Sequence, residues 1–331
     1  MLAFTAAIEA LRLANAVLGR EAYSWRIVTA NGKPVLASCG IPVAPDRSVS
    51  EERLVPHSQR ADMIVVCSGW YVENAFDKTV AGWLRQSRNS GIEIAGLCTG
   101  AFILGDAGLL SNRRCTIHWE HSPMLREMFP TAIVGGNLME SDGDVHTCAG
   151  GTASFDMMLH FVGERFGRKV ALAIGEQAII GRQRDPSERQ RSHRRTLGSL
   201  NPLVIAAVEF MEDNIIEQVK ISAVAEHINL SRRQMERVFA REIATSPARL
   251  YLELRLDHAR LMVLQSSMPI VDIAIGCGFV SASHFSKCFR LFHGASPQSL
   301  REQRQRSVFV PALKSQSEER NSVAGPSFIL H

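Results

Sequence analysis

The feature that most constrains this chain is a pattern written twice, about fifty residues apart, near its carboxyl end. The later copy runs from Ile270 to Arg301, IVDIAIGCGFVSASHFSKCFRLFHGASPQSLR. Ile270, Ile273 and Ala274 form one apolar face at helical spacing, and Gly276 and Gly278 break the helix. Ser281 is placed to cap a second helix. In that helix Phe285, Cys288, Phe289 and Phe292 recur on one side, while Ser283, Ser286, Lys287 and Arg290 stay polar. The earlier copy, Ile221 to Phe239, has the same plan. Val224, Ala225 and Ile228 come first as the apolar set, Ser231 caps, and Met235, Val238 and Phe239 are expected to be buried, with Arg232, Arg233, Glu236 and Arg237 outside. Ala225 corresponds to Ala274 and Phe239 to Phe289, offsets of 49 and 50 residues. A short helix, a tight turn and a second helix with one apolar side make a helix-turn-helix unit, and this periodicity argues for its duplication.

One such unit alone would be a generic helical hairpin. Two of them have a geometric use. Ser246-Pro247 supplies an N-cap and first turn for a helix over 248–265, which at 1.5 Å per residue spans roughly 27 Å. Two reading helices about 34 Å apart enter successive major grooves on one face of DNA. At this point the residues match a family. The tandem units resemble the AraC/XylS DNA-binding domain, and GFVSASHFSKCFRLFHGASPQSLR is close to its signature. The resemblance implies a transcriptional regulator in which Arg233, Glu236 and Arg237 face bases from the first unit. Ala282, Ser283, Ser286 and Lys287 do so from the second. Arg232 and Arg290 are read as phosphate contacts or as part of a solvated face, since most polar contacts to DNA position rather than specify. Short side chains at the base-facing positions of the second unit imply that it reads less sequence than the first.

Composition neither announces nor forbids this. The 331 residues suggest two domains, and the net charge of +4 is mild. From 200 to 306 there are 13 Lys and Arg against 11 Asp and Glu, so DNA binding must rest on one basic face. No apolar run is long enough to cross a bilayer and no secretory signal is visible, which with seven scattered cysteines lacking a CxxC pair points to a reducing cytoplasm. No metal or cofactor is expected.

The first 181 residues alternate helices and strands. Helices are expected over Leu2 to Leu18, 101–107, Thr152 to Arg165 and Arg168 to Ile180. Strands are expected over Ser24 to Ala30, Met63 to Cys67, Ile92 to Leu97 and Cys115 to His118, with a hairpin of Ile133 to Met139 and Val145 to Cys148. That alternation means an α/β fold, a flavodoxin-like open parallel sheet with helices on both faces. The chain opens directly in a helix, so either its true start lies upstream or the sheet lacks a first strand.

The chemical focus of this half is Gly96-Leu97-Cys98-Thr99-Gly100, a thiol in a tight turn between strand and helix, which is the setting of a nucleophile elbow. A lone cysteine is more often a small core residue. With CTIHWE (Cys115 to Glu120) and CAGGTASFDMMLH (Cys148 to His160), the elbow resembles the class-I amidotransferase-like, PfpI-type domain. In hydrolytic members a histidine directly follows the cysteine. Here Thr99 follows, no acid is confidently placed, and His118 matches a histidine near the thiol. A thiol without a base in reach is a poor nucleophile. The departure points to a sensor built on an enzyme fold; the alternative is a cysteine-dependent hydrolase or amidase with an accessory DNA-binding tail.

The combination resembles the GlxA-type regulators, and CTGAFILGDAGLL, HWEHSP and TCAGGTASFDMMLH resemble the branch that senses glycine betaine, carnitine or arginine. Each of those ligands joins a carboxylate to a cationic nitrogen. The resemblance implies a ligand site of Cys98, Thr99, Gly100 and His118, with the elbow amides taking the carboxylate and Trp119, Trp70 and Tyr71 facing the cation. Residues 182–200, with six Arg between Arg182 and Arg195, read as a basic linker, with some turns of continued helix as the alternative. The DNA-binding domain spans 201–306, and 307–331 reads as a disordered tail. Expected partners are double-stranded DNA, a small-molecule effector, a second copy of the chain as homodimer, and RNA polymerase as a further candidate; no membrane is involved.

Overall fold

The computed structural model describes residues 1–69, 75–190, 201–215, 219–266 and 268–308, with the side chains of 265 and 304–308 excluded. The chain divides into two compact units, Met1–Asn214 with Val219–Tyr251, and Ile215–Gln218 with Leu252–His331.

The first unit opens with α1 (Leu2–Leu18). A set of short elements follows: β1 (Val28–Thr29), β2 (Val35–Leu36), β3 (Pro42–Val43), β4 (Arg47–Ser48) and α2 (Val49–Arg53). The remaining elements of the α/β part are β5 (Met63–Ser68), α3 (Lys78–Asn89), β6 (Glu93–Cys98), α4 (Gly100–Asp106), β7 (Arg114–Cys115), α5 (Ser122–Met128), β8 (Ile133–Val134), β9 (Met139–Asp142), β10 (Val145–Cys148), α6 (Ala153–Phe166) and α7 (Arg168–Gln177). The main sheet has the order β5-β6-β10-β9. β5, β6 and β10 run parallel, and β9 pairs antiparallel with β10, so the sheet is mixed at one edge.

The alternation along β6 decides where the helices lie. Ile94 packs on one face with Leu84 of α3 and Phe102 and Leu104 of α4. Ala95 and Leu97 pack on the other with Ala7 and Ala10 of α1 and Ala153 and Met157 of α6. Successive strand side chains point to opposite faces, so an unbroken apolar run such as Ile94-Ala95 is what a sheet covered on both sides needs.

Three expected strands are shorter than their apolar patterns, each because side chains or another segment take the backbone bonds a ladder would use. Of Ser24 to Ala30 only Val28–Thr29 is strand; Ile27 N–H donates to the Asp46 carboxylate at 2.7 Å and Arg26 is bound to the buried Glu52. Cys115 to His118 is strand only through Cys115, because Thr116 N–H donates to the Thr147 hydroxyl at 2.8 Å. The hairpin is Met139–Asp142 with Val145–Cys148, whereas Ile133–Val134 pairs parallel with β7. Residues between them bond to 186–190. The helix expected to Ile180 ends at Gln177, where Ile179 adopts a left-handed φ of 56° and Ile180 N–H closes back on the Gly175 carbonyl.

After α8 (Pro202–Asp213) come the two helix-turn-helix units. The first is α9 (Ile221–His227) and α10 (Arg232–Ile243). After α11 (Pro247–Gln265) the second is α12 (Ile270–Gly276) and α13 (Ala282–His293), followed by α14 (Pro297–Val308). The duplication extends to individual backbone bonds. Leu230 N–H closes on the Ala225 carbonyl at 2.9 Å, and Phe279 N–H closes on Ala274 at 2.9 Å. The left-handed turn residue is Asn229 in one copy and Gly278 in the other; Gly276, expected to help break the helix, is its last residue. Ser231 caps α10 through Gln234 N–H at 3.3 Å, and Ser281 caps α13 through His284 N–H at 3.2 Å. Ser246 and Ser296 cap α11 and α14 in the same way, at 3.2 and 3.1 Å. The offset changes from 49 to 50 at Val280, a one-residue insertion in the turn whose side chain is fully exposed. In the second unit Phe285, Phe289, Ile273 and Ala274 pack with Leu256, Ala259 and Val263. Phe292 shares the helical spacing but stands 42% exposed, outside that core.

Candidate functional site

The elbow is real in backbone terms. Cys98 ends β6 with φ 54°, a left-handed conformation that a non-glycine residue holds only under constraint. The constraint comes from two close approaches. A Cβ on Gly100 would meet the Val66 carbonyl oxygen at 2.2 Å, and one on Gly150 would meet the Cys98 Cβ at 2.3 Å. Only bare backbone lets α4 begin under β5 and the 148–152 turn lie over the thiol.

The electrostatics are those of a quiet thiol. Burial raises the Cys98 pKa above the usual cysteine range; a hydrogen bond from Thr99 N–H opposes this, and the Glu120 charge adds to the rise. Thr99 is buried, and its hydroxyl donates to the Gly69 carbonyl at 2.8 Å, so it reaches a ligand only through its backbone. Gly100 is buried at the start of α4. His118 and Trp119 lie in a single-turn 3-10 segment (Trp119–His121) and its entry, where a strand was expected. Their rings sit 5.7 Å apart, and His121 lies 6.1 Å from His118. His118 Nδ1 is buried, makes no hydrogen bond among the described residues, and lies 3.8 Å from a Glu120 carboxylate oxygen. Burial lowers the His118 pKa against the opposing pull of Glu120. Trp70 and Tyr71 lie outside the described residues.

The candidate DNA-facing residues occupy two helix surfaces. On α10, Arg232, Arg233, Glu236 and Arg237 are exposed while Met235 and Phe239 are buried. Arg232 Nε donates to Glu236 at 2.9 Å, so Glu236 is held by a neighbour. On α13, Ser283, Lys287 and Arg290 are exposed, Ala282 and Ser286 are half-buried, and Phe285 and Phe289 are buried. Each second helix thus turns one side inward and leaves a cationic side to solvent, as a groove-reading helix must.

Sequence reasoning missed two contributors. Gly150 signalled itself only as one of two adjacent glycines, and Gln190, in a polar basic run, carried no signal. Its side chain holds the turn that bears His118: Trp119 N–H donates to Gln190 Oε1 at 2.7 Å, and Gln190 Nε2 donates toward the Ile117 carbonyl at 2.8 Å.

Comparison with known proteins agrees with both halves. The family model for the helix-turn-helix domain matches residues 224–303, and that for the DJ-1/PfpI family matches residues 4–164. The HTH-type transcriptional regulator GbdR of Pseudomonas aeruginosa is 36% identical over 303 residues, covering 91% of this chain and 81% of its own. CdhR of the same species is 34% identical over 298 residues, covering 90% and 87%. GlxA of Rhizobium meliloti is 34% identical over 307 residues, covering 91% and 92%. Fold, duplicated unit and relatives together define a DNA-binding transcriptional regulator with a DJ-1/PfpI-type domain ahead of its reading helices. Within that class the chain belongs to the AraC/XylS-family regulators of the GlxA type. The hydrolase alternative gives way: the relatives are regulators, and the thiol is shifted away from the reactive form.

Proposed function

We propose that this protein is a sequence-specific regulator whose DNA binding responds to a small nitrogenous metabolite held beside Cys98. The effector belongs to the glycine betaine, carnitine or arginine class. The observation that carries this reading is His118, whose buried Nδ1 makes no hydrogen bond among the described residues and lies two positions from Glu120, the charge that reaches the unactivated Cys98 thiol. A buried ring nitrogen of that kind calls for a hydrogen-bond partner, which a water or a ligand atom supplies. Of the elbow amides, Thr99 N–H and Cys98 N–H bond the Cys98 and Cys148 sulfurs, which leaves Gly100 N–H to meet a carboxylate. The Trp119 face and the Glu120 carboxylate suit a cationic nitrogen, the aromatic share being roughly 0.5–2 kcal/mol.

From the other half of the chain, Arg233, Arg237, Ser283 and Lys287 face bases, with Glu236, Ala282 and Ser286 beside them, and Arg232 and Arg290 hold phosphates. The protein works as a homodimer on paired sites in the compartment that holds the DNA, with domain limits at 181 and 201. A thermal-shift panel of betaine, carnitine, arginine and related amines tests the effector class. One clear stabiliser is expected, since a ligand at 100 times its Kd adds about 2.7 kcal/mol. No shift with any of them refutes the class.

A further inference from the structure

Residues 182–190, which composition marks as linker, are folded onto the α/β domain as a strap. Leu138 N–H donates to the Glu188 carbonyl at 2.7 Å, Met139 N–H to Pro186 at 3.1 Å, and Gln190 N–H to Gly136 at 3.2 Å. The strap is braced on itself by Arg182, whose guanidinium grips the Glu188 carboxylate at 2.5 and 2.7 Å. It is tied down at both ends. Near its start Arg184 donates to the buried Asp156 of α6 at 2.6 Å and to the Thr152 hydroxyl at 2.7 Å. At its end Gln190 Nε2 donates toward Thr116 Oγ1, the Ile117 carbonyl and the Asn137 carbonyl at 2.9, 2.8 and 3.1 Å, while its Oε1 accepts from Trp119 N–H.

These two anchors grip the turn that lies against the thiol and the segment that leads to Glu120, whose charge reaches the thiol. Thr152 closes the 148–152 turn whose Gly150 lies against Cys98, and 116–119 leads into the turn that carries His118 and Trp119. A primary amide has two N–H donors and one acceptor oxygen, and here one acceptor set and one donor converge on it. The two N–H groups are shared among three acceptors while the oxygen takes Trp119 N–H, so a side chain lacking either half of the amide loses one side of the set. The next contact leads away from the site. Arg189 donates to Asp213, the last residue of α8, at 2.5 Å. Both side chains are well exposed, so that pair adds little stability and is easily made and broken.

We infer that the 182–190 strap carries the effector signal out of the pocket, with Gln190 as its positioning residue. The inference rests on the effector reading above. A ligand that shifts the 116–119 turn acts on the Gln190 amide directly, and Arg189, one residue away, relays the displacement to α8 through Asp213. The effector must bind the strapped and released states with different affinity, and the coupling is reciprocal.

Two measurements on the full chain test it. The first is hydrogen exchange without ligand. Arg184→Ala touches none of residues 116–119, yet releasing the far end of the strap is expected to speed their exchange at least about five-fold, as Gln190→Ala does directly, with 232–243 and 282–293 unchanged. Wild-type protection at 116–119 in Arg184→Ala overturns the strap as a lever, whatever the effector. The second is affinity for an operator selected from random DNA, with and without betaine, carnitine or arginine. Wild type is expected to show a ratio of about five-fold or more. Arg189→Ala, which breaks the contact to Asp213 and touches none of residues 116–119, is expected to bring that ratio close to one while the stabilising compound still raises its melting temperature. A full ratio in Arg189→Ala overturns the inference and leaves the effector reading standing. No melting shift in wild type refutes the effector class alone, and the exchange experiment then decides the strap.

Discussion

Ala244 follows α10 in a left-handed conformation, φ 51°, where the second copy has Gly294 at φ 77°. A left-handed non-glycine residue is strained by roughly 1–2 kcal/mol, and glycine's extra chain entropy returns about 0.5–1 of that. Ala244→Gly is therefore expected to stabilise by about 0.5 kcal/mol, read as a higher melting temperature; a lower one would show that the Ala244 methyl group is packed. Two imidazoles set a pH dependence. His146, with Nδ1 at 2.9 Å from the Ser141 hydroxyl and its ring on Phe161, has its pKa lowered mainly by burial, against the pull of Glu93, and His118 is lowered by burial as well. The unfolded chain takes up these protons first, near the ordinary value of 6.5. Their contribution is thus full above that pH and is lost as the pH falls from there toward the folded values. Melting temperatures between pH 8 and 5.5 are expected to drop, and to drop less in His146→Gln. An equal drop in the variant would place the effect elsewhere.

Among the elements, the reading helices are the ones most dependent on local sequence. α10 begins with a reciprocal capping box: the Ser231 hydroxyl accepts from Gln234 N–H, and the Gln234 side-chain oxygen Oε1 accepts from Ser231 N–H at 2.8 Å. Ser231→Ala is expected to destabilise by about 1 kcal/mol and to speed exchange in the first turn of α10. Unchanged exchange there would show that tertiary packing alone fixes the start. These helices were legible in the sequence because every cue was local: Ser caps, glycine or asparagine turns, and apolar positions three and four apart. The strands were legible where the apolar run was continuous, as at β5 and β6. They were over-extended at 24–30, 115–118 and 133–139, where Asp46, Thr147 and the 186–190 strap take the backbone bonds. Those partners lie from 19 to more than 50 residues away in sequence, beyond any periodicity. At the site, Cys98 announced itself by its flanking glycines, whereas Gln190 could not, because only the fold brings it to Trp119.

For the molecule as a whole, a nearly balanced charge in the carboxyl-terminal domain makes DNA binding a matter of where the charges stand. Arg290→Ala, assigned to a phosphate, is expected to weaken binding to all sequences alike and to reduce the slope of log affinity against log salt by about one. A change confined to one sequence would make Arg290 a base reader. Under the proposed reading an elbow without an activated thiol is kept for binding rather than for chemistry, and the strap's anchors at Thr152 and 116–119 are where that binding would be felt. The most direct measurement of all is the equilibrium affinity of wild type and Arg237→Ala for a selected operator and for random-sequence duplex of equal length. The expected result is a loss of roughly 1–3 kcal/mol on the operator with little change on random DNA. Equal discrimination by the two proteins would contradict the role given to α10, and with it the reading of the duplicated unit as the part of this protein that recognises sequence.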